Sequence, residues 1–448
     1  MIRASKLLVL WCFVASLVSS GLVLSQPCSA QNEATKLTFP NGVTAIVQPD
    51  AESNVVAICL FVRAGIAEEE GVSGIGNLAA RAMFGSNDNQ SKDAVRTEIY
   101  RVGGSLEIVW EPDYTLFTCV TTSAGFQDAL YVMTQALKSA EFDTDTLLNA
   151  RKDVLADIAR ENKEPFRVAY AALRTRLYDD GPYRLAFSGN GDNLWRLKTP
   201  TLQAFFRKRF TPSNTVISVV GNVKVAQVQR AIDNELLDFE RPAGKPVRVP
   251  TTKIVSEVAP LRRSLPTATT LLAAGFRAPG VTEADYPAFR VLEAIVGGGK
   301  SSRLFRSVRD VAGVGYAVGT YIPPLAKEGS LLAYVEYDPA HVGADGKALS
   351  TDTVQKMLMD SIESVLKTPP TEAEVERAKR YAAGVHALAH QRTRERAFYL
   401  GWYETIGAGF GFDADLPHKI SAVTVEDVKR VAAKVLAKHA VAIITPEK

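Results

Sequence analysis

Histidine is almost missing from this chain: five residues in 448, all at or beyond His341. The first 340 residues contain none, and no H-E-x-x-H, H-x-x-E-H or C-x-x-C occurs anywhere. A catalytic zinc normally takes three N, S or O ligands plus an open position, and the sequence has no local cluster of that kind. Cysteine is scarce as well. Cys12 and Cys28 lie in the N-terminal run, leaving Cys59 and Cys119 in the strand-like stretches NVVAICLFVRAG and DYTLFTCVTTS. That excludes a disulfide-dense scaffold. Two buried free thiols are the plain expectation, and one disulfide is the alternative that spacing cannot decide.

Charge of one sign is lacking too. The net charge is +3, and no basic cluster interleaves with aromatics, so nothing points to nucleic acid. A phosphate loop is missed narrowly. VGGGKSSRLF (296–305) has Ala294 where the first glycine of that motif belongs, and it follows the helix-like AFRVLEAI rather than a strand. Gly297, Gly298 and Gly299 read instead as a loop whose exposed backbone lets a peptide come close.

One long apolar run is present, from Leu7 to Leu24, with Arg3 and Lys6 before it and Cys28-Ser29-Ala30 after it. This is the pattern of a secretory signal peptide cut after Ala30, which places the mature chain outside the cytoplasm, in a periplasm-like compartment. A retained membrane anchor is the alternative, because the run is nearly long enough to span. Ser25, Gln26 and Pro27 before Cys28 do not resemble a lipoprotein acylation site. Removing two basic residues leaves about +1 on the remainder, 50 basic against 49 acidic.

What is there is ordinary globular composition, 46% hydrophobic and 23% charged, in a chain long enough for two or three domains. One unit is written twice. CLFVRAGIAEEEGVSGIGNLAARAMF starts at Cys59, and LAAGFRAPGVTEADYPAFRVLEAIVGGGKSSRLF at Leu272; in each a strand, an arginine, an acidic loop and an amphipathic helix follow in order. Arg63 and Arg277 hold matching places. So do Thr201 and Thr424, each opening a helix that leads to a β-branched strand. The expected class is α+β, with two homologous domains, each a largely antiparallel sheet carrying helices on one face. The boundaries are residues 31–238, a proline- and charge-rich linker over 239–262, and 263–448.

Three places remain as site candidates. In GIGNLAARAMF (74–84), Ile75, Leu78, Ala79, Ala82 and Met83 form one helical stripe, and Asn77, Ala80 and Arg81 share the opposite face. His386 and His390 stand four apart on a predicted helix, but no acid precedes Glu395 nearby, and a metal reading is set aside. In SSRLFRSVRDVAGVGYAVGTY a helix opens near Ser301, Gly313 ends it and Tyr316 enters a strand. By spacing alone, Arg309 and Tyr316 read as a surface arginine and a core-edge tyrosine.

LTFPNGVTAIVQ, FVRAGIAEEEGVSG, GPYRLAFSGNGDNLWRLKTPTLQAFFRKRFTPSNTVISVVGNV and GGGKSSRLFRSVRDVAGVGYAV together resemble the insulinase/pitrilysin metallopeptidases, including mitochondrial processing peptidase, over nearly all of the chain after residue 30. The resemblance implies two related α+β domains, with two such chains or halves closing as a clamshell around unfolded peptide. The family's zinc motif H-x-x-E-H, laid on Gly74 and Phe84, falls on Asn77, Ala80 and Arg81. Its third ligand, a glutamate some seventy residues on, falls on Leu148 or Ala150. The resemblance therefore implies a chain that binds no catalytic zinc of its own. It also gives Arg309 and Tyr316 a role in holding a substrate carbonyl and its developing oxyanion, with the Zn²⁺ carried by a homologous partner subunit. The alternative is an inert structural or peptide-binding homologue.

Overall fold

The computed structural model describes residues 33–69, 71–84, 86–87, 92–178, 181–242, 259–315, 317–340, 342 and 348–447. The N-terminal apolar run and its cut after Ala30, most of the expected linker, and Tyr316 lie outside the described residues. Among those described, no helix is long and apolar enough to cross a membrane.

Short β-branched runs separated by turns supply eleven strands to two large sheets. The first sheet takes β1 (Thr35–Thr38), β2 (Thr44–Pro49), β3 (Val56–Val62), β4 (Ser105–Trp110), β5 (Thr115–Thr121) and β6 (Thr215–Gly221), in the order β1-β2-β6-β3-β5-β4. Every pair is antiparallel except β2 with β6. The second takes β7 (Leu261–Leu265), β8 (Thr270–Arg277), β9 (Ala317–Tyr321), β10 (Ser330–Tyr337) and β11 (His439–Pro446), in the order β9-β10-β8-β11-β7. Here only β11 with β7 is parallel. Read backwards, the second order matches the first strand for strand, with β1 as the single addition. The repeat seen in the sequence is thus a repeat of topology, and the strands carrying its motif, β3 and β8, are the central ones.

All seven residues of β3 are buried, so both faces must be covered. Alternation shows by what. Val56, Ile58, Leu60 and Val62 join a core with α1 (Ile75–Ala82) and α2 (Phe126–Ser139), followed in chain order by α3 (Thr144–Glu161). Ala57, Cys59 and Phe61 join the core of the second half, meeting Ala397 and Leu400 of a helix that lies some 340 residues later. The second sheet mirrors this. Leu271 and Ala273 of β8 meet Ala169, Leu173 and Leu177 of α4 (Pro165–Leu177), a helix of the first half. Leu272, Ala274 and Phe276 face α7 (Tyr286–Val296), which follows α5 (Thr199–Arg209) and α6 (Val225–Leu236). Each half covers one sheet face with its own helices and lends one helix to the other half.

The α-helices after α7 are α8 (Thr351–Lys367), α9 (Glu372–Ala389), the lent helix α10 (Thr393–Thr405), α11 (Phe412–Ser421) and α12 (Val425–Val435). The Thr201/Thr424 match is looser than the sequence suggests. Thr424 caps α12, its hydroxyl accepting from Asp427 N at 3.2 Å, whereas α5 opens two residues before Thr201 with Pro200 in its first turn. The matched arginines explain themselves. Arg63 donates to the carbonyls of Thr405 (2.9 Å) and Glu404 (3.2 Å) at the C-terminus of α10, where unpaired carbonyls and the helix dipole favour a cation. Arg277 pairs with Glu328 at 3.0 Å, and the Glu328 carbonyl accepts from Tyr178 at the end of α4.

Cys59 and Cys119 are both free and buried. They belong to the two different cores on opposite faces of the first sheet, so no disulfide links them. Burial raises the Cys59 thiol to a pKa of about 12 and the Cys119 thiol to about 11.

Candidate functional site

Helix α1 is short and held at its N-terminus by a carboxylate. Glu69 accepts from Gly74 N (3.0 Å) and Gly76 N (3.2 Å), filling donors that a helix start leaves open. Its own burial raises the Glu69 carboxyl to about 8 despite those bonds. Trp110 of the edge strand β4 packs closely on this helix at Gly76, where a Cβ would stand 1.8 Å from its ring. The apolar stripe Ile75, Leu78, Ala79, Ala82 and Met83 is buried as its spacing requires.

The polar side of α1 is covered rather than solvated: Asn77 is buried and Ala80 fully so. The Asn77 amide donates to Ser188 O at 3.2 Å, and its oxygen accepts from Arg81 Nε at 3.2 Å. Arg81 then forms an ion pair with Asp157 of α3, which also takes a bond from Arg160 at 2.7 Å. This corrects the sequence reading of α3. Leu148 points outward and Ala150 packs into the core, while the residue of α3 that meets Arg81 is Asp157, two to three turns further on. A metal ion does not fit this set. It offers one carboxylate, an amide already engaged, and a guanidinium that repels any cation.

In the second half, Arg309 lies in the π-helical turn Phe305–Val311, exposed at the surface. Its Nη1 donates to the Gly315 carbonyl, and its guanidinium stacks 5.9 Å from the Phe305 ring. Tyr316, its expected companion, lies outside the described residues. The glycine run needs a correction. Gly297 and Gly298 are buried, and Cβ atoms at Gly297, Gly298 and Gly299 would strike Thr320 (2.3 Å) and Tyr381 (2.8 and 2.7 Å). The close approach that these glycines permit is to the chain's own side chains, and Gly297 and Gly298 offer no open backbone to a peptide.

One cluster was legible only in part in the sequence. His386 and His390, near the end of α9, are joined by Asp413 from the first turn of α11. His390 Nε2 lies 2.9 Å from both Asp413 oxygens and His386 Nε2 lies 3.5 Å from one of them. His390 Nδ1 is 2.6 Å from the His386 carbonyl, and the Tyr399 ring stacks on His390 with centroids 4.5 Å apart. Burial lowers the His386 pKa, helped by its neighbour's charge. At His390 burial also acts downward, but the Asp413 carboxylate outweighs it and the pKa rises. A cavity of about 410 Å³ opens beside His386, walled by Tyr286, Tyr381, Tyr399, Trp402 and Tyr403. The i, i+4 histidines were visible in the sequence, whereas Asp413, in the first turn of another helix 23 residues beyond His390, was not.

Comparison with known proteins assigns the two halves of this geometry. Residues 44–190 match the family model described as Insulinase (Peptidase family M16), and residues 197–381 match the model described as Peptidase M16 inactive domain. Among curated proteins, uncharacterized zinc proteases of Mycobacterium bovis and Mycobacterium tuberculosis are each 25% identical over 92% of this chain and 93% of their own. One of Bacillus subtilis is 22% identical over 92% of this chain and 98% of its own. Among solved structures, a protease from Helicobacter pylori superposes with a TM-score of 0.83 at 19% identity, covering 93% of this chain and 100% of that one. A peptidase M16 inactive domain from Pseudomonas fluorescens gives 0.82 at 19% identity, over 93% and 98%. These likenesses show the two-sheet α+β fold of clamshell-type peptidases.

Proposed function

The chain belongs to the insulinase family of peptidases (M16), and on that premise we propose that it is the non-zinc subunit of an exported, heterodimeric zinc metallopeptidase. It forms half of a chamber for unfolded peptide. A homologous subunit with an intact H-x-x-E-H holds the Zn²⁺, which supplies the activated water for peptide cleavage. The observation that carries this reading is the Arg81 guanidinium joining Asn77 to Asp157 at the place where the family motif, laid on Gly74 and Phe84, would hold the ion. Arg309 and Tyr316 hold the substrate carbonyl and stabilise its developing negative charge as charged and neutral donors in a closed chamber. The model matched by residues 197–381 is described as an inactive domain, which fits a second half that carries no catalytic zinc motif.

A second reading, an inert structural or peptide-binding homologue, has one observation in its favour: Arg309 is already engaged by the Gly315 carbonyl of its own chain. Co-expression with an exported H-x-x-E-H homologue from the same source separates the two. On the first reading the pair cleaves unfolded peptide and neither chain does so alone. Arg309→Ala then lowers turnover by about 100- to 1,000-fold, the usual cost of one oxyanion donor, while the pair still co-purifies. Unchanged turnover in that variant transfers the protein to the second reading. Cleavage by this chain alone, abolished by Asp157→Asn, overturns both.

A further inference from the structure

We propose that His386, His390 and Asp413 form a binding site for one divalent transition-metal ion of the zinc class, separate from the polar face of α1. The argument starts from the His390 ring. Its Nδ1 lies 2.6 Å from the His386 carbonyl, which can only accept, so Nδ1 carries hydrogen and donates. In the neutral ring Nε2 is then a lone pair, and it points at both oxygens of a carboxylate 2.9 Å away. Two acceptors do not face each other at that distance without a positive charge between them. That charge is a proton or a metal ion.

Three features select the ion. The carbonyl behind His390 is the outer-shell partner that fixes tautomer and ring plane in metal-bound histidines, and Tyr399 stacked on the ring holds the same plane. His386, one helical turn earlier, brings a second Nε2 to 3.5 Å from Asp413, and one ligand atom from each of the three residues lies within 4.8 Å of the others. A four-coordinate ion bound at about 2.0–2.1 Å holds its ligands about 3.3–3.4 Å apart, so small rotamer shifts suffice. The cavity beside His386 leaves an approach for the ion and a fourth position for water. Two imidazoles with one carboxylate suit Zn²⁺, Cu²⁺, Ni²⁺ or Fe²⁺ and disfavour Ca²⁺ and Mg²⁺, which prefer oxygen throughout. The other charges facing the cluster are Arg290 and Arg396. Arg396 is paired with Asp50, and Arg290 bonds Tyr286 with Glu293 close by.

Such an ion would tie the end of α9 to the start of α11 beside the lent helix α10. Zinc titration of the metal-free full chain by calorimetry, with Co²⁺ as the spectroscopic stand-in, tests the site. The expected result is one equivalent bound, a tetrahedral-type Co²⁺ spectrum, and proton release as Nε2 of His390 is freed. His386→Ala and His390→Ala should each weaken affinity by more than about 100-fold and Asp413→Asn by about 10- to 100-fold. Asp157→Asn on α3 should leave uptake unchanged. In crystals soaked with Zn²⁺, an anomalous peak between the three side chains supports the proposal without any variant. No uptake by the unaltered chain, or full uptake in both histidine variants, overturns it and leaves the imidazolium–carboxylate pair as the explanation. Uptake lost only in Asp157→Asn overturns it and the proposed function together.

Discussion

Arg81 carries the one positive charge that the polar face of α1 needs. It binds the Asn77 oxygen on its own helix and the Asp157 carboxylate on α3, so a cation bridges two elements that would otherwise present acceptors to each other. Asp157 stands 76 residues after Arg81. Replacing the bridging cation by ligands should therefore convert the network into a metal site. In a His386→Ala background, the triple variant Asn77→His/Ala80→Glu/Arg81→His is expected to take up one equivalent of Zn²⁺ that the background alone does not. Zinc analysis after gel filtration measures it, and no added zinc in a folded triple variant would sink the alignment of the motif on Gly74 and Phe84. Asn77, Ala80 and Arg81 were legible because their helix declares itself through its apolar stripe. Asp157 was not, because helical periodicity fixes which face a residue is on but not how far along the neighbouring helix the contact falls. Asp413 was hidden for a different reason. It reaches the histidines only after the chain has run through a loop and α10, and no local pattern records that return.

The lent helices decide how the elements fit. α10 lies against β3 and β6, its Ala397 carbonyl accepting from Ser218, and its surface is fastened by Arg394 to Glu107, Arg396 to Asp50 and Glu404 to Lys36. Contact this close requires a residue without a side chain: a Cβ on Gly401 would stand 2.4 Å from the Phe61 ring and 2.6 Å from Ser218 Oγ. Gly401→Ala is expected to cost about 1–3 kcal/mol, as overpacking a tight contact does, and to lower the urea midpoint accordingly. Gly384 in α9 is the control, since nothing lies within 4 Å of a Cβ there. Gly384→Ala should be neutral or stabilising by up to about 1 kcal/mol. A gain in Gly401→Ala like that in Gly384→Ala would mean that helix propensity, not the α10–sheet contact, governs the site. Strands such as β2, β3, β5, β6 and β11 could be read from alternation and β-branching, and the doubling from the matched strand–arginine–acidic loop–helix runs at Cys59 and Leu272. The exchange of helices could not, because the apolar residues of α4 and α10 show that each is buried without saying which sheet buries it.

At the scale of the whole molecule, the two halves are also joined through a half-buried carboxyl. Asp113, in the turn between β4 and β5, accepts from Tyr183 Oη at 2.6 Å and from Ala326 N at 2.9 Å, and Ala326 belongs to the second half. Burial raises its pKa from 3.8 to about 6, more than those two bonds lower it. The sign of the consequence follows from proton counting. Between about pH 4 and 6 the folded chain keeps a proton on Asp113 that the unfolded chain has released, so stability present below that window is lost as pH rises through it. Glu111 and Glu68, both raised to about 7 chiefly by burial, push the same way at higher pH. The contribution of Asp113 can be isolated because Asn imitates its protonated form. Asp113→Asn should match the unaltered chain near pH 4 and become relatively more stable toward neutral pH. The gap should grow by at most about 1.4 kcal/mol per pH unit until the folded carboxyl has ionised. Urea unfolding of both proteins across pH 4 to 8 measures that gap. Parallel profiles would mean that Asp113 ionises alike in both states, and that the junction between the halves is wetter than its burial implies.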